Sequence, residues 1–124
     1  MKKNIFLVLT FFIIFISCVI KKEEKLFSKL SNKESGIYFS NDLSYDDDFN
    51  IFTYRNYFNG GGVGVIDINN DNLLDIYLTS NLNSNKLYLN LGDMKFKDIT
   101  DDAGVGGMKS WSTGVSIADV NADG

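Results

Sequence analysis

Residues 60–75 read Gly60-Gly61-Gly62-Val63-Gly64-Val65-Ile66-Asp67-Ile68-Asn69-Asn70-Asp71-Asn72-Leu73-Leu74-Asp75. Within this stretch Asp67, Asn69, Asp71 and Asp75 form the pattern D-x-N-x-D-x-x-x-D. Alternate residues of a tight loop can turn their side chains toward one point, where carboxylates repel one another unless a cation joins them. Oxygen ligands of this number favour calcium over zinc or copper. We therefore predict a calcium loop over residues 67–75, the Asp67 loop. The alternative is an Asx-rich turn without metal, because Asp and Asn also favour turns.

The Asp67 loop differs from an EF-hand at the positions that define one. An EF-hand has Gly at loop position 6 and a bidentate Glu at position 12. Counted from Asp67, these positions hold Asn72 and Leu78, and the closing carboxylate is Asp75 at position 9. Asn72 tolerates the left-handed backbone that Gly would supply. The pattern thus disfavours an EF-hand calcium sensor.

The residues around the Asp67 loop predict strands. β-branched and aromatic residues flank it on both sides, and short runs of the same kind follow between tight turns. We predict strands over residues 63–68, 75–80, 86–90 and 95–99, with Leu87 and Leu89 facing inward. A connecting loop with one helical turn is predicted over residues 100–107. The fold class is all-β, an antiparallel four-stranded meander of the kind that forms one propeller blade.

The segment before the sheet is predicted to be mostly extended. Residues 36–40 predict a first short strand, 41–48 an exposed acidic loop, and 49–58 an extended segment whose aromatic rings pack onto the sheet. We interpret Asp46-Asp47-Asp48 as a solvated charge run, because catalytic carboxylate pairs face one cleft from separate elements. No Lys-Ser/Thr follows Gly60-Gly61-Gly62, so a phosphate-binding loop is excluded.

Composition narrows the function. The chain has 124 residues, no His, one Cys and a formal net charge of −4. Without His or a second Cys, it lacks the commonest general base and any internal disulfide. Its acidity argues against nucleic-acid binding, which relies on clustered Lys and Arg. We predict no catalytic residue within these 124 residues.

The first residues predict an export signal. Lys2-Lys3 precede an apolar run from Ile5 to Ile16 that is interrupted only by Thr10. As a helix, twelve residues span about 18 Å, less than the roughly 30 Å of a bilayer core. This favours a signal peptide over residues 1–17, with Cys18 as a lipidated residue and residues 18–35 as a tether containing one helical turn. An uncleaved anchor over residues 5–20 is the alternative.

The opening of the Asp67 loop recurs near the end of the sequence. After Trp111, the pattern returns at Asp119, Asn121 and Asp123, a spacing of 52 residues (from 67 to 119). Spacings of this size indicate repeat architectures. We predict one blade over residues 63–110 and the start of a second over 111–124. Because position 127 would complete the second loop, we expect the chain to be the N-terminal fragment of a longer protein.

Four segments resemble FG-GAP/VCBS-type repeats: Phe58-Asn59-Gly60-Gly61-Gly62-Val63, Asp67-Ile68-Asn69-Asn70-Asp71, Asn85-Lys86-Leu87-Tyr88-Leu89-Asn90 and Phe96-Lys97-Asp98-Ile99-Thr100. Such repeats are similar to the calcium-binding blades of integrin α-subunit propellers. The resemblance implies a Ca²⁺ site with the ligands Asp67, Asn69, Asp71, Asp75 and the Leu73 carbonyl, and a second site at Asp119, Asn121 and Asp123. Ser17-Cys18 and Lys22-Glu23-Glu24 resemble the lipobox and export signal of Bacteroidetes surface lipoproteins.

These observations lead to two functional hypotheses. The first is a calcium-binding β-propeller on the bacterial outer membrane, lipid-anchored and surface-exposed, that binds an extracellular protein or glycan and no nucleic acid. The second is the non-catalytic N-terminal part of a larger enzyme whose active site lies beyond these residues. A downstream cleft containing His would favour the enzyme.

Overall fold

A computed structural model describes residues 25–108 and 111–120 of the chain. The predicted signal peptide, the predicted lipidation site Cys18 and the predicted ligands Asn121 and Asp123 lie outside the described residues. Among the described residues, no helix has the length and apolar character needed to cross a membrane.

The described residues form one antiparallel sheet in which neighbouring strands are also consecutive in the chain. The strands are β1 (Val63–Ile66), β2 (Asp75–Leu78), β3 (Lys86–Asn90) and β4 (Phe96–Asp98). Two short helices flank them, α1 (Asn32–Ser35) and α2 (Thr100–Ala103). The predicted all-β four-stranded meander is confirmed, and α2 is the helical turn predicted after the last strand.

Three of the four strands are shorter than predicted, although the N–H groups of Thr79 and Ile99 still donate to the carbonyls of Gly62 and Leu87. β1 ends at Ile66, since Asp67 accepts N–H bonds from its own loop. β2 ends at Leu78: the N–H of Ser80 donates to the side chain of Asn85 at 2.9 Å. β3 has the predicted bounds. β4 begins and ends one residue inside the predicted range.

The core includes residues from both faces of β3. Leu87 is buried as predicted, but Leu89 is only half-buried, and Tyr88 on the opposite face is 1% exposed. The inward assignment of Leu89 was therefore only partly right. The Tyr88 hydroxyl accepts the backbone N–H of Tyr38 at 3.3 Å, so the segment after α1 covers the second face of the sheet. Strict alternation fails for this strand because both of its faces are covered.

The strand predicted over residues 36–40 is wrong. α1 begins with a capping box between Ser31 and Glu34 and ends at Gly36, which has φ 79°. The Cβ of any other residue at position 36 would collide with the backbone carbonyl of Phe96. Gly36 thus allows the chain to cross β4 closely, and residues 37–40 continue without pairing to the sheet.

The extended segment predicted over residues 49–58 is also wrong, because these residues form successive turns. The N–H of Tyr54 donates to the carbonyl of Asn50 at 2.8 Å, and the N–H of Tyr57 donates to that of Tyr54 at 3.1 Å. The rings of Phe49, Tyr54 and Tyr57 contact Trp111 with centroid distances of 5.1 to 5.5 Å. The aromatic residues therefore form a cluster of their own beside the sheet.

The acidic loop over residues 41–48 is irregular, and Asp46, Asp47 and Asp48 are exposed. Its first residue has a second role, since Asn41 accepts the N–H of Asn81 at 2.9 Å and donates to the Asn81 side chain at 2.6 Å. This part of the loop is fixed to the turn after β2.

Residues 111–120 lie against β1 and contain no strand. A Cβ at Gly62 would come within 2.9 Å of the Val115 nitrogen, and one at Gly64 within 2.7 Å of the Ile117 Cδ1. The start of the second repeat thus lies directly on the first strand of the first repeat.

Candidate metal centre

The Asp67 loop connects β1 to β2, whose ends are fixed by the pairing of Ile66 with Asp75. Its backbone wraps around the Asp67 carboxylate. Oδ2 of Asp67 accepts the N–H of Asn72 at 2.7 Å, and Oδ1 accepts those of Asp71 at 3.2 Å and Asn69 at 3.4 Å. The strand pairing brings the loop ends together, and the first acidic side chain orders the residues between them.

Two Asn residues supply the backbone turns that this wrapping requires. Asn70 has φ 59° and Asn72 has φ 67°, both in the left-handed region that Asn tolerates better than most residues. The left-handed conformation predicted at Asn72 is confirmed. The left-handed conformation of Asn70 was not predicted, although Asn in an acidic loop is itself a signal for it.

The side chains of Asp67, Asn69 and Asp71 lie together on one side of the loop. The N–H of Asp71 donates to Oδ1 of Asp67 and also to Oδ1 of Asn69, at 3.3 Å. The Asn69 amide donates to Oδ2 of Asp71 at 2.8 Å, and Oδ1 of Asp71 accepts the N–H of Leu73, also at 2.8 Å. Two carboxylates and one amide therefore lie together, one carboxylate fewer than the pattern predicted.

Asp75 is placed differently, because it is completely buried. Its Oδ2 accepts the N–H of Ile68 at 3.0 Å, and its Oδ1 accepts the N–H of Asn90 on β3 at 2.6 Å. The Asn90 side chain also donates to the carbonyl of Leu74 at 2.9 Å. Asp75 and Asn90 thus join the Asp67 loop to the sheet. Sequence reasoning did not identify Asn90 as part of this site.

The loop environment favours the anionic form of Asp67. Desolvation alone would raise the pKa of this carboxyl group, but backbone N–H bonds from Asn72, Asp71, Asn69 and Asn70 outweigh it and lower the pKa. A hard cation requires such anionic oxygen ligands. The donor chemistry of Asp67, Asn69 and Asp71 therefore fits calcium.

The described residues do not contain a complete metal cluster. Over residues 25–108 and 111–120, no group of three or more His, Cys, Asp or Glu side chains is arranged to hold an ion. Asp75 points to Ile68 and Asn90, so only two carboxylates face the Asn69 amide. The roles of Asp75 and the Leu73 carbonyl as ligands stay predictions. In the second repeat, Asp119 lies in the exposed segment beside β1, and its role stays a prediction as well.

Comparison with known protein families identifies the region that contains the Asp67 loop. Residues 67–124 match the FG-GAP-like repeat. The match begins at the first predicted ligand and continues through β2, β3, β4 and the second copy of the pattern. No curated protein and no solved structure matches the chain. The FG-GAP-like match, together with the four-stranded meander, supports a repeat module of the β-propeller type.

Proposed function

We propose that this chain is a calcium-stabilised binding module built from FG-GAP-like repeats. The observation that carries the proposal is the convergence of Asp67, Asn69 and Asp71 at the start of the region that matches these repeats. Calcium bound there would offset the repulsion between the two carboxylates. Asp75 would transmit this ordering to the sheet, because its other contacts join the loop to β3.

The expected affinity is that of an extracellular module. Such modules hold calcium with Kd values on the order of 10⁻⁴ to 10⁻³ M. Calcium at 100 times its Kd adds about 2.7 kcal/mol to the free energy of unfolding for each site. The Leu73 carbonyl would add a ligand to the first site, and Asp119, Asn121 and Asp123 would form the second. The bound ion would have a structural role, because we predict no catalytic residue within this chain that would use it.

The test is the calcium dependence of thermal unfolding in the full chain. We expect the wild type to melt at a higher temperature in millimolar calcium than in EGTA. Asp71→Asn keeps the shape of the side chain but removes a charged ligand, so it should abolish most of this shift. Asp102→Asn is the matched control, because Asp102 is an exposed acid outside the loop. An unchanged calcium shift in Asp71→Asn would overturn the assignment.

The proposed setting is the outer surface of a bacterial cell, where the module would bind a protein or glycan. This location is supported by the sequence at the start of the chain, which contains basic residues, a short apolar run and the lone Cys18. Cys18 would carry the lipid that anchors the module to the outer membrane. Cys18→Ser should release the protein from the membrane fraction after cell lysis, with Ser17→Ala as the control. Retention of Cys18→Ser in that fraction would favour an uncleaved anchor.

A further inference from the structure

An open groove of about 400 Å³ lies in the segment before the sheet, outside the FG-GAP-like region. Its volume is in the range of small-ligand sites. We call it the aromatic groove, and the lining residues that the argument uses are Tyr45, Asp46, Asp47, Phe52, Tyr57 and Phe58. Four aromatic rings and two carboxylates thus line one concave surface, and the Asp67 loop contributes nothing to it.

The aromatic rings of the groove differ in exposure: one is buried and held in place, and others are exposed to water. Tyr57 is 2% exposed, and its hydroxyl donates to the carbonyl of Ser44 at 2.6 Å. Phe58 contacts Tyr57 edge to face with a centroid distance of 5.2 Å. Phe52 is 94% exposed, so its apolar ring faces water. Aromatic faces of this kind attract cations, because the ring quadrupole is negative above its plane.

The polar side chains that line the groove act almost entirely as hydrogen-bond acceptors. The side-chain amide of Asn50, another lining residue, uses both N–H groups on the carbonyls of Asp46 and Asp47, at 2.9 and 3.2 Å. The Tyr57 hydroxyl is used by Ser44. Apart from the Tyr45 hydroxyl, the lining side chains therefore offer acceptors only. A sugar hydroxyl both donates and accepts hydrogen bonds, whereas an ammonium or guanidinium group only donates.

The negative charge of the groove is not neutralised within the described residues. Over residues 25–108 and 111–120, no ion pair involves Asp46 or Asp47, and the Asp47 carboxylate accepts no hydrogen bond there. Oδ1 of Asp46 accepts the N–H groups of Asp48 and Phe49, which fixes the orientation of this carboxylate. The Asn50 bonds hold the same turn, so the groove is ordered before a ligand arrives. Such preorganisation reduces the entropy lost on binding.

We propose that the aromatic groove binds a lysine or arginine side chain presented by a partner protein. The carboxylates would pair with the cationic head group, and the rings would contact both that group and the apolar stem. This proposal names a partner chemistry for the binding module. It is independent of calcium, because no residue of the Asp67 loop lines the groove.

The test uses the full chain and fluorescein-labelled hexa-arginine and hexa-lysine peptides, with hexa-serine as the neutral probe. Fluorescence anisotropy is recorded in EGTA at low and high salt. We expect the basic peptides to bind at low salt and hexa-serine not to bind. Phe52→Ala should weaken binding about threefold, as loss of an exposed cation–π contact implies. Phe27→Ala is the matched control, because Phe27 is 89% exposed and lies outside the groove.

A second pair of variants separates the groove from overall charge. Asp47→Asn and Asp48→Asn change the net charge equally, but only Asp47 lines the groove. We expect Asp47→Asn to weaken peptide binding about threefold and Asp48→Asn to change it less than twofold. Equal weakening by both variants, an unchanged affinity in Phe52→Ala, or binding of hexa-serine would overturn the proposal. Failure of the calcium test with peptide binding intact would overturn only the calcium assignment.

Discussion

The carboxylate of Asp75 is buried, and two backbone N–H groups depend on it. These groups belong to Ile68 in the loop and Asn90 on β3. Replacing Asp75 by Ala would leave both partly buried donors without their acceptor, and an unsatisfied donor costs up to about 1–3 kcal/mol. We therefore expect Asp75→Ala to lower the free energy of unfolding by about 2–5 kcal/mol. Urea unfolding in EGTA measures this, because EGTA removes any contribution from calcium.

The matched control for Asp75→Ala is Asp71→Ala under the same conditions. Asp71 is exposed, and within the part of the chain that the structure describes its carboxylate bonds to Asn69 and Leu73, both in the loop. Without calcium this variant should cost less than about 1 kcal/mol, the usual range for an exposed contact. Equal losses in the two variants would show that Asp75 does not have the separate role inferred from its burial.

Within the Asp67 loop, the sequence predicted that Asp67, Asn69, Asp71 and Asp75 meet, but Asp75 bonds to Ile68 and Asn90 instead of joining the other three. Asp67, Asn69 and Asp71 are neighbours in the chain, and their convergence follows from local turn chemistry. The partner of Asp75 could not be predicted in this way. Asn90 is 15 residues farther along, and it reaches Asp75 only because β2 and β3 pair in one particular register. A long-range contact of this kind depends on the packed sheet.

The secondary-structure elements also divide into those that the local sequence predicts and those that long-range contacts determine. Strands β1 to β4 were predicted because turn residues separate short apolar runs, and each strand pairs with its neighbour in sequence. The prediction failed for residues 36–40 and 49–58, which have equally strong strand composition. Tyr38 bonds to the Tyr88 side chain, and the rings of residues 49–58 pack around Trp111. In both cases, tertiary contacts outweighed the preference of the residues for strands.

Residues 111–118 pack closely against β1, and this contact leads to a prediction about stability. A Cβ at Gly62 would lie 2.9 Å from the Val115 nitrogen and 3.1 Å from the Gly114 carbonyl carbon. The added methyl group would separate the two repeats, and overpacking of this kind costs about 1–3 kcal/mol. We expect Gly62→Ala to lower the free energy of urea unfolding by that amount.

Gly114→Ala is the matched control, since a Cβ at Gly114 would have no neighbour within 4 Å. It adds the same methyl group on the other side of the contact, and it should change the free energy of unfolding by less than about 0.5 kcal/mol. A Gly62→Ala protein as stable as the wild type would show that residues 111–118 do not pack against β1 in solution.

For the whole molecule, we expect stability to fall on both sides of a neutral plateau. The loss of stability in acid depends in part on Asp98. Partial burial would raise the pKa of Asp98, but bonds from Lys86 and Thr100 outweigh it and lower the pKa. A lowered pKa contributes stability above the unfolded value and loses it as the pH falls through the folded value. The loss should therefore begin near pH 4 and deepen below it.

Asp98→Asn tests this acid dependence. At pH 7 it should cost about 1 kcal/mol, because the pair with Lys86 is about one-third exposed and screened by water. The difference between Asp98→Asn and the wild type should shrink as the pH falls below 4, because Asp98 of the wild type is progressively protonated. A difference that stays the same from pH 7 into the acid range would contradict the assignment.

The alkaline side depends on Tyr88 and Lys86. Burial raises the pKa of the Tyr88 hydroxyl, and the bond to Asp98 raises the pKa of Lys86. For both groups, the stability is complete below the unfolded pKa of about 10 and is lost as the pH rises through the folded value. Tyr88→Phe should therefore flatten the fall in unfolding free energy above pH 10 and leave the part that is due to Lys86. Tyr45→Phe removes an exposed hydroxyl and should leave the slope unchanged. If the free energy of unfolding of Tyr88→Phe falls with pH as steeply as that of the wild type, the loss of stability in alkali arises from a group other than this buried tyrosine.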